Sequence, residues 1–244
     1  MAAQHTIIQT LSDFSENNNI AQVLAELTKL FPNQVTFSTS FSYEDQVITD
    51  QIAKSAGDIK LFTLDTGRLF PETYSTWSAT VDKYALPIQA YYPDAVALQQ
   101  YTTVNGPNGF YASAELRKAC CQIRKVVPLQ KALSGNKIWI TGLRAQHSAN
   151  RQSLQQFEWD ESNNIIKYHP ILHWTTQEVE TYIANNNVPY NVLHTRGFVS
   201  IGCAPCTRAI KPGEDFRAGR WWWEDNSKKE CGLHSTAPVA ITQA

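Results

Sequence analysis

QVTFSTSFSYEDQVITDQIAKSAGDIKLFTL, residues 34–64, sets two short apolar runs on either side of an amphipathic stretch. From Gln34 to Ser38, Val35 and Phe37 alternate with Thr36 and Ser38, which predicts a short buried strand. The polar loop Ser38-Thr39-Ser40-Phe41-Ser42 leads into a helix from about Tyr43 to Ala56. Gly57 and Asp58 break that helix, and Ile59 to Leu64 reads as a second strand. Strand, helix and strand in this order form a βαβ unit, whose strands lie parallel because the helix returns the chain across the sheet. The expected fold class is therefore α/β.

The alternation extends in both directions. Upstream, Asn17 to Asn19 precede Ile20, Val23, Leu24, Leu27, Leu30 and Phe31 at helical spacing, and Pro32 stops the run. Downstream, the pattern predicts a helix from about Pro71 to Tyr84, a strand from Ile88 to Tyr91 and a helix from Asp94 to Thr103. A helix follows from Cys120-Cys121 to about Leu133, then a strand from Lys137 to Thr141. Leu154 to Trp159 and Ile165 to His169 flank a polar turn as a hairpin, and Thr175 to Asn186 is a capped helix. Beyond Pro189 the pattern fades. The organisation expected is one α/β body, residues 1–211, with a mobile C-terminal segment, 212–244, that carries the last cysteine.

The composition is that of an ordinary globular chain: 244 residues, 43% hydrophobic and 18% charged, with 21 Lys and Arg against 22 Asp and Glu. A net charge of −1 argues against a nucleic-acid partner. The N-terminus shows no signal-peptide pattern, and no stretch nears the roughly 20 apolar residues of a spanning helix. A cytoplasmic protein without a membrane partner is expected, in which five cysteines are poor candidates for structural disulfides. A homo-oligomer is also expected.

Ligands of open parallel sheets bind beyond the carboxyl ends of the strands, and three polar loops fall there. Ser38-Thr39-Ser40-Phe41-Ser42 precedes a helix N-terminus, which suits a phosphate-like anion, although plain helix capping reads the same way. In Leu64-Asp65-Thr66-Gly67-Arg68-Leu69-Phe70-Pro71-Glu72-Thr73, Gly67 permits a positive φ and Asp65 can accept from a ribose or base; an ordinary β-to-α turn would look alike. The third loop, Gly142 to Arg151, offers Arg144 and Arg151, whose planar forks pair with phosphate or sulfate, or else are simply solvated.

The cysteines are more distinctive. Cys120 and Cys121 are adjacent, Cys203 and Cys206 form a C-x-x-C pair, and Cys231 stands apart near the C-terminus. At the start of a helix, the adjacent pair would have lowered thiol pKa values, with Arg124 and Lys125 four residues on to offset thiolate charge. A redox dithiol, half of a zinc site and an iron–sulfur ligand set are all open for the C-x-x-C. Adjacent cysteines chelate one tetrahedral zinc poorly, whereas a cluster can give each thiolate its own iron. Trp221 to Trp223 are expected to pack a core or an interface, and His169, His173 and His194 to be structural.

Together, these three loops, the two cysteine pairs and Glu230-Cys231-Gly232-Leu233-His234 resemble the assimilatory adenylyl-sulfate (APS) reductases, from about Val35 to His234. The most specific parts are Cys120-Cys121 followed by Ile123-Arg124-Lys125, the run Arg217 to Trp223, and the terminal Glu-Cys-Gly-Leu-His. The resemblance implies a Rossmann-like parallel sheet of the ATP-pyrophosphatase (adenine nucleotide alpha hydrolase-like) kind. It also implies a 4Fe–4S cluster on Cys120, Cys121, Cys203 and Cys206, APS as substrate and a separate thioredoxin as electron donor. Cys231 is then the catalytic nucleophile. Lys125, Arg144, Arg151, Arg217 and Arg220 become candidates for oxyanion stabilisation, and His234 could steady the thiolate or be a surface residue. The phosphorylated nucleotide PAPS, or both nucleotides, is the alternative substrate. More remote alternatives are a tRNA-modifying sulfurtransferase on the same fold and a zinc-stabilised binding module.

Overall fold

The computed structural model describes residues 2–55, 57–147 and 151–224. Six strands form one sheet: β1 (Val35–Ser38), β2 (Lys60–Leu64), β3 (Ile88–Tyr91), β4 (Ile138–Ile140), β5 (Phe157–Asp160) and β6 (Ile165–Tyr168). Their order is β3-β2-β1-β4-β6-β5. All neighbours are parallel except the β5–β6 hairpin. The expected strands and the hairpin are all present, with ends shifted by one residue at most except that β5 starts three residues later than expected, at Phe157 rather than Leu154.

Alternation along the strands divides the apolar side chains between two layers. Phe37, Leu61, Ile138, Ile140 and Ile166 enter one core together with Val23, Leu24 and Leu27 of α2 (Ile20–Leu30) and Val47, Ile48 and Ile52 of α3 (Tyr43–Lys54). Phe62, Trp139 and Ile165, one residue out of phase, pack on Leu129 and Leu133 on the opposite face. The sheet is covered on both faces, and the polar residues that alternate with the apolar ones, Thr36 and Thr63 among them, are buried as well. Full burial of Leu24 and of Leu27 contributes about 1.5–3 kcal/mol each relative to exposure.

The first core takes in one helix that the sequence analysis did not anticipate. In α1 (Ala2–Glu16), Leu11 is buried, and Ile8 and Phe14 pack against the same cluster. The spacing of Ile7, Ile8, Leu11 and Phe14 was the available signal. The remaining helices follow the expected pattern: α4 (Pro71–Tyr84), α5 (Ala95–Asn105), and, near the C-terminus, α8 (Thr176–Asn185) with a capping box between Thr175 and Glu178.

The cysteine helix differs from expectation. Helix α6 (Ala114–Cys121) starts at its N-cap Ser113, so Cys120 and Cys121 occupy its last turn rather than its first. A π-helical turn, Gln122–Val126, then leads into α7 (Val127–Leu133). Pro128 explains the wider turn: it has no N–H for the carbonyl four residues back, and its ring would clash there. The helix dipole therefore does not favour these thiolates as it would at an N-terminus.

Candidate active site

The strand order reverses at β1, which has β2 on one side and β4 on the other, and the crevice beyond such a switch point is where an open α/β sheet accepts ligand. A cleft of about 260 Å3 lies there, lined by Ser38, Thr39 and Ser40 after β1, Thr63, Leu64 and Thr66 at β2, and Thr141 and Gly142 after β4. The opposite wall comes from residues 199–203 and 216–221, beyond the last regular element.

On the α3 side the cleft carries acids. Ser42 caps the helix, and its first turn contains Glu44 and Asp45, both buried. Asp45 accepts from the Ser40 backbone N–H at 2.6 Å and the Ser40 hydroxyl at 2.7 Å. Burial pushes its carboxyl up to about 6 against the opposing effect of those bonds. The helix terminus expected to hold an anion is thus already served by its own carboxylates.

Glu44 is neutralised from behind. Arg144, only 1% exposed, places Nε 3.0 Å and Nη2 2.9 Å from Glu44 Oε1. Its other donors go to Gln146, to the Trp174 carbonyl and to Thr176. Arg144 therefore does not line the cleft. The expectation that it grips an oxyanion is corrected: every arm of the fork has an internal partner, and exchanging Glu44 for a ligand would strand a buried carboxylate.

Cations dominate the rest of the cleft. Lys125, Arg151, Arg217 and Arg220 all line it, a concentration of positive charge that favours an anionic ligand. Arg220 is held most tightly. Its guanidinium lies against the Gly202 backbone, so close that a Cβ on residue 202 would fall 2.5 Å from Nη2. It also lies 4.8 Å from the Trp221 ring centroid, with Arg117 at 4.6 Å over the same ring. Trp221 is fully buried with a positive φ of 41°, a strained conformation for a bulky residue. Its neighbourhood is fixed by a buried bidentate pair, Arg117 Nε and Nη2 with Glu224 at 3.0 and 2.8 Å. Thr207 bridges to Arg220, and the Trp221 N–H donates to the Cys206 carbonyl. Residues 219–224 therefore pack onto the cysteine loop, and the part of the expected C-terminal segment beyond Glu224 lies outside the described residues.

The four described cysteines line one chamber together with Arg68, Arg117, Arg124 and Lys125. Cys203 and Lys125 also line the cleft, so the two spaces share a wall. The chamber is packed by Tyr101, Phe110, Leu116, Ile123 and Trp223. Burial raises the Cys120 thiol despite Arg124 beside it, and burial with Cys203 nearby pushes Cys206 up to about 12. The Thr66 hydroxyl lies 3.3 Å from Cys203 Sγ, and Arg124 donates to the Thr66 carbonyl at 2.5 Å. Among the described residues, no three His, Cys, Asp or Glu side chains converge tightly enough to hold one metal ion.

Of the expected substrate-binding residues, Ser38, Thr39, Ser40, Leu64, Thr66, Lys125, Gly142, Arg151, Arg217 and Arg220 come together at the cleft. Three others shape it from outside. Phe41, at φ 60°, is buried and stacks on Trp77. Asp65 accepts from Gly67 N–H and the Tyr74 hydroxyl, which turns the loop at Gly67, φ 68°. Cys231 and His234 lie outside the described residues. The sequence analysis did not select Thr63, Ser200, Phe216 or Trp221 as ligand-binding: Thr63 lies inside β2, and the other three belong to segments that reach the strand ends only through the fold. Gly202, next to Cys203, was the one local hint of a close approach.

Comparison with known proteins agrees with this arrangement. The chain is 46% identical over 215 residues to the adenosine 5'-phosphosulfate reductase of Allochromatium vinosum, covering 88% of this chain and 82% of that protein. It is 47% identical over 212 residues to the enzyme of the same name from Agrobacterium fabrum, covering 85% and 82%. The crystal structure of phosphoadenylyl-sulfate (PAPS) reductase from Candida auris, a phosphate complex, superposes with a TM-score of 0.71 at 29% identity, over 83% of this chain and 96% of that one. An FMN adenylyltransferase from Candida glabrata shares the fold alone, with a TM-score of 0.53 at 14% identity, over 96% and 80%. The model of the phosphoadenosine phosphosulfate reductase domain matches residues 34–209, and the chain belongs to that family.

Proposed function

We propose that this protein reduces adenylyl sulfate to sulfite and AMP in the cytoplasm, using a dithiol protein of the thioredoxin kind as electron donor. The observation that carries the proposal is the shared wall: a cation-lined cleft at the switch point abuts a chamber of four cysteines through Cys203 and Lys125. The names of the similar proteins support APS as the substrate.

The chamber suits a 4Fe–4S cluster held by Cys120, Cys121, Cys203 and Cys206. Adjacent cysteines chelate a single tetrahedral zinc poorly, whereas a cluster can give each thiolate its own iron, and the four described thiols line one common space. The nearby Arg68, Arg117, Arg124 and Lys125 would offset the charge of such a group. When bound, it supplies order and a fixed electrostatic field beside the cleft rather than a required electron.

Lys125, Arg151, Arg217 and Arg220 bind the phosphosulfate and stabilise charge as it moves onto the departing phosphate. The Cys231 thiolate attacks the sulfur of APS. The S–O bond to the phosphate breaks, AMP leaves with the bonding pair, and Cys231 becomes an S-sulfonate. A donor thiolate then attacks Cys231 Sγ and expels sulfite. The donor's second thiol resolves the mixed disulfide, which restores Cys231 and leaves the donor oxidised by two electrons. The part of the C-terminal segment that carries Cys231 has the task of bringing it first to the nucleotide and then to the donor.

The test is to incubate anaerobically purified, reduced protein with APS alone and to map adducts by mass spectrometry. One SO3 adduct on the Cys231 peptide, with AMP released and the adduct lost in Cys231→Ser, is the expected result. An adduct formed only with PAPS would reassign the substrate. No adduct with either nucleotide, from protein that carries its iron, would refute the proposal.

A further inference from the structure

We propose that His169 is a positioning residue: it holds the Thr141 hydroxyl as a hydrogen-bond acceptor toward the cleft, where that hydroxyl takes a donor group of the bound nucleotide. The inference rests on the adenine-nucleotide assignment above. His169 is fully buried at the end of β6, and no step described so far uses it. Thr141 follows β4, lines the cleft and is tied to β6 through its N–H on the Tyr168 carbonyl at 3.0 Å. The parallel β4–β6 register therefore sets the two residues side by side, with His169 Nδ1 2.7 Å from Thr141 Oγ1.

Proton placement decides what Thr141 presents. The other ring nitrogen, Nε2, lies 3.3 Å from Glu158 Oε1 and off the hydrogen-bonding axis, with no hydrogen-bond partner among the described residues. In the neutral ring the carboxylate favours the proton on Nε2, which leaves Nδ1 bare and able only to accept. The single hydroxyl proton of Thr141 then goes to His169. The Leu143 N–H, 3.4 Å away, faces the same oxygen. A lone pair is what remains for a ligand.

An unrestrained threonine hydroxyl rotates and serves donors and acceptors alike; this one is confined to accepting. A phosphate or sulfate oxygen gains nothing from it, whereas a ribose hydroxyl or the adenine amine does. Asp45, whose carboxylate crowds Gly142 so closely that a Cβ there would meet it, adds a second acceptor to the same wall. The cleft thus pairs an accepting wall, for the nucleoside, with Lys125, Arg151, Arg217 and Arg220, for the anion.

Calorimetric titration of the intact protein with AMP, 2'-deoxy-AMP, 3'-deoxy-AMP and purine riboside 5'-monophosphate tests the inference and identifies the donor. Thr141→Val should weaken AMP binding about tenfold, the scale of one lost hydrogen bond, and His169→Phe should weaken it by less, because the released hydroxyl still accepts. Neither should weaken binding of the single analogue that lacks the donor. His169→Asn, whose Oδ1 can stand where Nδ1 stood, should restore most of the affinity and guards against a variant that merely fails to fold. His169→Phe should add nothing in the Thr141→Val background. Equal losses for AMP and all three analogues, or additive losses in the double variant, would overturn the positioning role and leave the proposed function standing. If the wild-type protein binds neither AMP nor APS, the nucleotide assignment itself fails, and the inference with it.

Discussion

Gly202→Ala should disable Arg220 without touching it. The new methyl would sit 2.5 Å from Nη2, 2.6 Å from Cζ and 2.8 Å from Nη1 of Arg220. Non-bonded carbon contacts are comfortable at about 3.5–4.0 Å, so the guanidinium has to retreat by about 1 Å. It has little room, because it is buried and lies over the Trp221 ring at 4.8 Å. Overpacking of this kind costs about 1–3 kcal/mol of stability, at about 2–4 °C of Tm per kcal/mol for a chain of this size. A charge-assisted hydrogen bond to the ligand is worth about 1.5–3 kcal/mol. Its loss predicts APS and AMP affinities about ten- to 150-fold weaker. Titration calorimetry reads the affinity and thermal melting reads the stability. Because Arg220 is the proposed route, Gly202→Ala should add little in an Arg220→Ala background. Wild-type affinity in Gly202→Ala, or full additivity with Arg220→Ala, would refute the account.

Three further outcomes are expected. Arg144→Ala should lower the urea midpoint by an amount equivalent to about 3–5 kcal/mol, since it leaves the Glu44 carboxylate buried without its partner; normal stability with lost nucleotide affinity would mean that Arg144 contacts ligand after all. For Asp45, the folded-state carboxyl is raised from 3.8 to about 6, so between those values the native state binds more protons than the unfolded chain. Stability from this group therefore falls as pH rises from about 4 to 6, by at most about 3 kcal/mol. Asp45→Asn should then be more stable relative to wild type at pH 8 than at pH 4, and denaturant midpoints showing the reverse trend would contradict the burial argument. Cys206→Ser should lower iron content and visible absorbance in anaerobically prepared protein; undiminished iron would exclude Cys206 as a ligand.

Residues 34–64 were legible because local physics and tertiary need coincide there. Apolar residues alternate along β1, recur in β2 and form one stripe on the helix between them, so the period of the pattern reveals all three. The hairpin of β5 and β6 and the capped helix at Thr175 were readable for the same reason. Helix α1 escaped, although Ile8, Leu11 and Phe14 supplied a helical stripe. The cysteine pair was placed at the wrong end of its helix because Ser113, the true cap, lies in a Gly- and Asn-rich stretch with weak periodicity.

Arginine chemistry divided less well. Arg144 and Arg151 sit in one loop and look alike in sequence, yet the first is locked to Glu44 and the second lines the cleft. Nothing local separates them, since the partner that captures Arg144 lies 100 positions away.

The sequence by itself determined the parallel α/β architecture, the three loops at the strand ends and the two pairs of thiols. These follow from hydrophobic period, turn residues and side-chain chemistry, which are local properties. Only the tertiary structure decided which groups meet: that Cys120, Cys121, Cys203 and Cys206 share a chamber, that Lys125 and Cys203 form its wall with the cleft, and that Gly202 receives Arg220. Those contacts join segments far apart along the chain. They depend on the strand order and on how buried charges find their partners, and a single sequence carries no local mark of either.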